Sequence, residues 1–199
     1  MSTLSIFARR FRLLAALCLL PWLSACWVSN EPLIGTATAS HVDFASTYKP
    51  EGYEVVVRSV HKEDGSYELT DGKDGFTGFY RRIAPDWYLV QLDFQDFARD
   101  IEQGGGAGGS FKVEVPEGEG PWFYNLVHLD GQGLEFYRVA CDDKARAIDG
   151  VSAEKAFDEK LDACVFASLE QVEAAAMAAK QTIESGAFVG EKRVMRAIE

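Results

Sequence analysis

The sequence has few histidines and cysteines, two of the residue types from which enzymes commonly build catalytic and metal sites. Its three histidines are His41, His61 and His128, and no two of them have the spacing of metal ligands. The signatures Gly-x-Ser-x-Gly, His-Glu-x-x-His and Cys-x-x-Cys, typical of serine hydrolases, zinc proteases and redox proteins, are absent. We therefore predict no catalytic residues, no metal site and no cofactor.

Basic residues are also scarce relative to acidic ones. The chain has 20 Lys and Arg against 31 Asp and Glu, and a formal net charge of −11. Arg9, Arg10 and Arg12 are the charged residues of the first 25, so 17 basic residues face 31 acidic ones in residues 26–199, a net charge of −14. Such a surface repels the phosphates of nucleic acid, which excludes nucleic acid as a partner.

No apolar run is long enough for a permanent transmembrane helix. The most apolar stretch, Leu13 to Leu23, has about 11 residues, whereas about 20 are needed to span the hydrocarbon of a bilayer. Three arginines precede this stretch and small residues follow it. This order of positive, apolar and small residues is typical of a secretory signal peptide.

The end of this segment, Leu23-Ser24-Ala25-Cys26, resembles the lipobox of bacterial lipoproteins. The resemblance implies that the Cys26 thiol receives a diacylglycerol and that cleavage leaves Cys26 as the first, acylated residue. The alternative is an ordinary signal peptide in which Cys26 stands by chance. By resemblance to enteric lipoproteins, a following residue other than Asp, here Trp27, implies transfer to the outer membrane.

We accordingly predict three segments. Residues 1–25 are the signal peptide and residues 51–199 form one β-rich globular domain. Residues 26–50 form a lipidated tether, because residues 27–50 are rich in Ser, Thr, Ala and Pro.

The cysteines predict one disulfide. Of the four, Cys18 lies in the signal peptide and Cys26 takes lipid, which leaves Cys141 and Cys164 in an oxidising compartment. A bridge between them closes a loop of about 23 residues and stabilises the protein by about 3 kcal/mol in the chain-entropy model. The alternatives are two buried thiols or a redox pair.

Alternating and β-branched runs predict antiparallel strands, separated by turn signals such as Asp64-Gly65 and Asp130-Gly131. The predicted strands are Tyr53–Val60, Ser66–Thr70, Phe76–Ile83, Trp87–Phe94, Ser110–Val115, Trp122–Asp130, Gly133–Ala140 and Lys192–Ala197.

Two stretches favour helix. The charged, Ala-rich residues Asp143 to Cys164 predict one or two short helices, and a capping box from Ser168 to Gln171 begins a helix that runs to about Glu184. The fold class is therefore α+β. An antiparallel β-meander, with a hint of two similar halves, carries a C-terminal helix on one face. The alternative is a small β-barrel.

Trp87 and Trp122 open two strands at similar places. They are candidates to line a ligand site, since such sites are rich in aromatic residues. The competing interpretation is that both tryptophans belong to the core of the sheet.

The function predicted from these patterns is a membrane-anchored envelope lipoprotein that acts as a non-catalytic binding or structural module. Its expected partners are the membrane, through the lipid on Cys26, and an envelope protein or glycan. The alternatives are an envelope hydrolase, assembled from distant residues, and a carrier of an apolar ligand.

Overall fold

The computed structural model describes residues 26–73, 75–93, 121–156 and 161–198. The predicted signal peptide and the predicted strand Ser110–Val115 lie outside these residues. The strands are β1 (Cys26–Ser29), β2 (Thr47–Pro50), β3 (Val57–His61), β4 (Tyr67–Thr70), β5 (Gly75–Ala84), β6 (Trp87–Leu92), β7 (Trp122–Leu129), β8 (Gly133–Arg138), β9 (Ser152–Ala156), β10 (Leu161–Val165) and β11 (Glu191–Ala197). The helices are α1 (Asp143–Arg146) and α2 (Leu169–Glu184).

Eight of the strands form a closed antiparallel barrel. Strands β2 to β6 follow one another as a meander, β6 pairs with β7, and β7 pairs with β8. Strand β11 then lies between β8 and β2 and pairs with both. The small barrel given as the alternative is therefore the better description, and the predicted meander with its C-terminal helix holds in part.

Closure has a physical reason. An open meander would leave the backbone groups of its two outer strands without partners. Here Glu191–Arg196 pair with β8 and Met195–Ala197 pair with β2, so β11 satisfies both outer strands of the eight.

Three further strands extend the sheet away from the barrel. Strand β1 pairs in parallel with β10, which pairs antiparallel with β9. On its other side β1 pairs with the first part of β7, where Trp27 lies opposite Tyr124. Among the described residues of the charged, Ala-rich stretch that was predicted as one or two short helices, the short α1 is the helical part, and β9 and β10 follow it. The helix prediction was wrong for β9 and β10. There β10 pairs with β1 and β9 pairs with β10, and this pairing outweighs local helix propensity.

Strand β6 is buried along its whole length because both of its faces are covered. Tyr88, Val90 and Leu92 point into the barrel, while Trp87 and Leu89 point outward toward helix α2. Alternate residues of one strand therefore belong to two different cores. The inner core fills the barrel, and the outer core lies between the sheet and the helix.

One end of the barrel is filled by the chain that precedes β2. The Phe44 ring lies 5.1 Å from the Tyr67 ring and 5.0 Å from the Tyr80 ring, in edge-on contacts. The backbone N–H of Val42 donates to the Tyr67 hydroxyl at 3.0 Å. We call residues 41–45 the plug, because Val42 and Phe44 close this end of the barrel.

The structure places residues 27–50 in the folded body, unlike the predicted tether. Trp27 is 2 % exposed and Ile34 is fully buried. Trp27 lies in β1, and Tyr48 lies in the barrel strand β2. The Ser, Thr and Pro of this segment indicated a spacer, but its few apolar side chains are buried, and that burial holds the segment in place.

The predicted start and end of the C-terminal helix are confirmed. The Ser168 hydroxyl accepts a hydrogen bond from the Gln171 N–H at 3.3 Å, and the Gln171 side chain accepts one from the Ala167 N–H at 2.8 Å. These two bonds satisfy free backbone donors at the helix start. Val172, Ala175 and Ala176 bury the inner face of α2 against the outer core.

The predicted disulfide is also confirmed. Cys141 and Cys164 are bonded, with their Cα atoms 5.1 Å apart, and both side chains are buried. The bridge connects the chain that leaves β8 to strand β10. It thus fastens the three-strand extension to the barrel beneath helix α2.

Candidate functional site

At the end opposite the plug, the barrel interior opens into a cavity of about 480 Å³. Six strands each contribute one apolar side chain to its wall, because inward-facing residues recur at every second position. These side chains are Val57, Leu69, Phe76, Leu92, Phe136 and Met195. The connection from β6 to β7 leaves and re-enters at this end, and its residues 94–120 lie outside the described part of the chain.

The cavity has a closed floor. Below it the barrel is packed with the aromatic and aliphatic side chains of the inner core, among them Tyr80, Tyr88 and Val90. Gly78 allows close packing at this level, since a Cβ there would come within 2.7 Å of the Val90 side chain. As formed by the described residues, the interior is therefore a cup that is sealed at one end and open at the other.

Tyr80 is a polar residue placed deep in this packed region. It is fully buried, and its hydroxyl has no hydrogen-bond partner among the described residues. Burial raises the pKa of Tyr80 far above its usual range, and the nearby Tyr48 and Tyr67 raise it further. An unpaired buried hydroxyl costs free energy. The Tyr80 hydroxyl is thus a buried polar group that forms no hydrogen bond with the described residues.

The rim of the cavity is charged. The Glu191 carboxylate lies 2.6 Å from Arg138 Nη1 and 2.7 Å from Arg193 Nε, so two guanidinium groups share it. Glu191 and Arg193 also line the cavity, as do Glu51 and Asp71. An apolar wall below a charged rim can hold a molecule that has an apolar body and a polar end.

The structure places Trp87 and Trp122 away from this cavity. Trp87 lies on the outer face of β6, where its ring stacks on His128 with ring centres 4.5 Å apart. Trp122 packs against the same outer core, and its buried Nε1 has no partner among the described residues. Neither tryptophan lines the cavity, so the core interpretation describes them better than the ligand-lining one.

A polar cluster surrounds Glu135 on the outer face of the barrel. Its carboxylate is within 2.5 Å of Lys192 Nζ and of the Tyr137 hydroxyl, and within 3.4 Å of His128 Nδ1. Burial alone would raise the pKa of Glu135, but hydrogen bonds from Lys192, Tyr137 and His128 outweigh it and lower the pKa. Burial, followed by the contact with Glu135, raises the pKa of Tyr137.

This cluster places a histidine beside a carboxylate, as a hydrolase would require. In the described part of the chain, however, the partners of His128 are Glu135 and the Trp87 ring, and neither is a serine or cysteine nucleophile. The cluster therefore stabilises the outer face of the sheet, and its geometry does not favour hydrolysis.

Of the other two histidines, His41 belongs to the plug and His61 lies beside it. His41 Nδ1 is 2.8 Å from the Tyr67 hydroxyl, and its Nε2 is 3.2 Å from the Asp43 carboxylate. His61 stacks on the Tyr67 ring with ring centres 4.5 Å apart. Within residues 26–73, 75–93, 121–156 and 161–198, no group of three His, Cys, Asp or Glu side chains could hold a metal ion.

Comparisons of the chain with family models, with curated proteins and with solved structures found no match. Among the helices that the structure describes, none combines the length and the apolar character needed to cross a bilayer. The cavity was not found from sequence because the six side chains of its wall are spread over 139 positions, from Val57 to Met195, and share no motif.

Proposed function

We propose that this chain is a lipid-anchored protein of the bacterial envelope, transferred to the outer membrane, that carries an apolar ligand in its barrel without catalysis. The anchor is supported by Leu23-Ser24-Ala25-Cys26 and the apolar stretch before it. The carrier role is supported by the cavity, and the arrangement of the cavity is the observation on which the proposal depends.

The size and lining of the cavity support an apolar ligand. Its volume of about 480 Å³ falls within the range of small-molecule sites. Each methylene group buried in such a space contributes about 0.8 kcal/mol, so eight of them contribute about 6 kcal/mol before the costs of association. Because the plug seals the far end, a ligand enters and leaves through the charged rim.

The same lining argues against a glycan as the occupant. Sugars present hydroxyl groups that need hydrogen-bond partners when they are buried. The six wall side chains are aliphatic, phenyl or thioether groups and supply no N–H, O–H or carbonyl group for them. The polar groups lie at the rim, where they suit the headgroup of an amphiphile. A protein partner for the outer surface has no comparable geometric support.

The experiment measures binding of a fluorescent long-chain fatty acid to the full-length, membrane-extracted protein. Val57 faces the cavity, whereas Val60, on the same strand, is 44 % exposed to solvent. We expect saturable binding that Val57→Trp weakens at least tenfold, because the larger ring fills the cavity. Val60→Trp is the matched control and leaves affinity unchanged. Absence of saturable binding, or equal affinity in both variants, contradicts the carrier role.

A further inference from the structure

The position of the anchor relative to the cavity leads to a second proposal, which rests on the lipid anchor proposed above. We propose that the open end of the barrel faces the membrane, and that the apolar residues exposed around this opening contact the lipid surface. The ligand then moves between bilayer and cavity without crossing bulk water. Four observations carry this inference.

First, the structure leaves almost no spacer between Cys26 and the folded body. Cys26 itself belongs to β1, where its backbone pairs with Ala163. The next residue, Trp27, is buried, and its indole Nε1 donates a hydrogen bond to the Ala140 carbonyl at 2.8 Å. Since one extended residue spans about 3.3 Å, acyl chains on Cys26 hold the body directly against the membrane.

Second, the strand register places Cys26 beside the open end. Along one side of β7, Leu126 pairs with Tyr137 of β8, whereas Tyr124 pairs with Trp27 of β1. Strand β1 therefore continues along the edge of β7 where β8 ends, so Cys26 lies near Arg138, the last residue of β8, in the sheet. Arg138 is the ion-pair partner of Glu191, which lines the cavity rim. The anchor thus lies next to the rim, and the plug lies at the opposite end.

Third, exposed apolar side chains are concentrated at this opening. Seven large hydrophobic residues are exposed in the described part of the chain, and four of them line the opening or lie within two positions of a residue that does: Tyr53, Val55, Val56 and Val189. Tyr53 is 55 % exposed and Val189 is 92 % exposed. Tyr53 and Val55 also line the cavity. Apolar side chains exposed together indicate a contact surface, and tyrosine is favoured at the water–lipid boundary.

Fourth, the negative charge of the protein gives no electrostatic attraction to anionic lipid. Apolar contact is therefore the attraction that orients the body. Residues 26–199 carry a net charge of −14, which anionic headgroups repel over the Debye length. Contact therefore depends on the anchor and on short-range burial of side chains such as Val189 and Tyr53. Both lie at the opening, so they orient the same face toward the bilayer.

The experiment places an environment-sensitive fluorophore at Val189→Cys or at Val60→Cys in the full-length lipidated protein, reconstituted in phosphatidylcholine vesicles. Val60 is exposed on a barrel strand but lies toward the plug end. We expect the Val189→Cys label to shift to shorter wavelength and to be quenched by nitroxide-bearing lipids at least threefold more than the Val60→Cys label. The Val60→Cys label is instead quenched by aqueous iodide.

The outcomes separate the two proposals. Vesicle-bound protein whose Val189→Cys and Val60→Cys labels are quenched equally by iodide overturns the orientation and leaves the anchor intact. Protein that does not bind vesicles overturns the anchor, and the orientation with it. A second measurement follows ligand transfer from vesicles. Val56→Asp should slow transfer at least fivefold without changing affinity for free ligand, and an unchanged transfer rate contradicts the inference.

Discussion

The indole of Trp27 donates a hydrogen bond to the backbone carbonyl of Ala140, which lies 113 positions later in the chain. This bond connects the first strand of the sheet to the residue that precedes the disulfide cysteine Cys141. It shows that the segment directly after Cys26 is a structural part of the body. The anchor proposed at Cys26 is therefore joined to a rigid sheet, and its position determines how the body meets a membrane.

The lipid anchor predicts a specific labelling pattern. In cells given radiolabelled palmitate, Cys26→Ser should abolish incorporation into the protein, because the thiol that accepts the diacylglycerol is missing. Cys18→Ser, within the predicted signal peptide, is the matched control and should retain the label. Label in Cys26→Ser, or membrane binding that survives a high-salt wash, would contradict the assignment.

The disulfide predicts a loss of stability on its removal. Cys141 and Cys164 are separated by 23 positions, and opening a loop of this size costs about 3 kcal/mol in free energy of unfolding. Urea denaturation of the variant with Cys141→Ala and Cys164→Ala should show this loss, and reductant should not lower its stability further. Free thiols at both positions in the denatured, unreduced protein would argue against the bridge.

Two tyrosines of the barrel interior should respond oppositely to loss of the hydroxyl. Tyr80→Phe removes a buried group without a partner among the described residues, so stability should stay equal or rise by about 1 kcal/mol. Tyr67→Phe leaves the N–H of Val42 without its hydrogen-bond acceptor and removes a contact of His41. This change should lower the free energy of unfolding by about 1 to 2 kcal/mol. Equal losses in the two variants, measured by chemical denaturation, would contradict this assignment.

The interactions of the Glu135 carboxylate should make the stability of the protein depend on pH. Its pKa lies below the ordinary value of 4.5 in the folded protein, because Lys192, Tyr137 and His128 stabilise the carboxylate against the effect of burial. The contribution is therefore present above pH 4.5 and is lost as the pH falls through the folded-state pKa. The difference in unfolding free energy between wild type and Glu135→Gln should shrink over that range.

A matched control separates this effect from the general action of acid. Glu54 is an exposed carboxylate whose side chain is 95 % accessible. The stability of Glu54→Gln should follow that of the wild type over the same pH range. A difference for Glu135→Gln that stays constant with pH would mean that the carboxylate is not held by its three donors.

The sequence predicted the parts of the fold that have local causes. Asp64-Gly65 and Asp130-Gly131 form turns in which both glycines have positive φ, at 86° and 75°. Ser168 begins a helix because its hydroxyl satisfies a free backbone N–H. The pairing of Cys141 with Cys164 follows from the sequence because the predicted signal peptide and lipid site account for Cys18 and Cys26.

The parts that sequence could not predict depend on contacts between distant segments. Nothing local marks Glu191–Ala197 as the strand that inserts between β2 and β8. In Trp87–Leu92 every side chain is buried, so the usual alternation that tells the inner face from the outer face is absent. The sequence therefore leaves Trp87 both as a ligand-site candidate and as a core residue, and the structure places Trp87 in the outer core and its neighbour Tyr88 in the barrel interior.

The insertion of β11 between β2 and β8 has a consequence for biosynthesis. The barrel cannot close until residues 191–197 have been made, so in a chain truncated before residue 191 the edges of β2 and β8 lack the partner strand β11. Such edges template intermolecular pairing and aggregation. Premature termination or C-terminal proteolysis should therefore produce material that aggregates or is degraded, even though five of the six apolar side chains named for the cavity wall are still present.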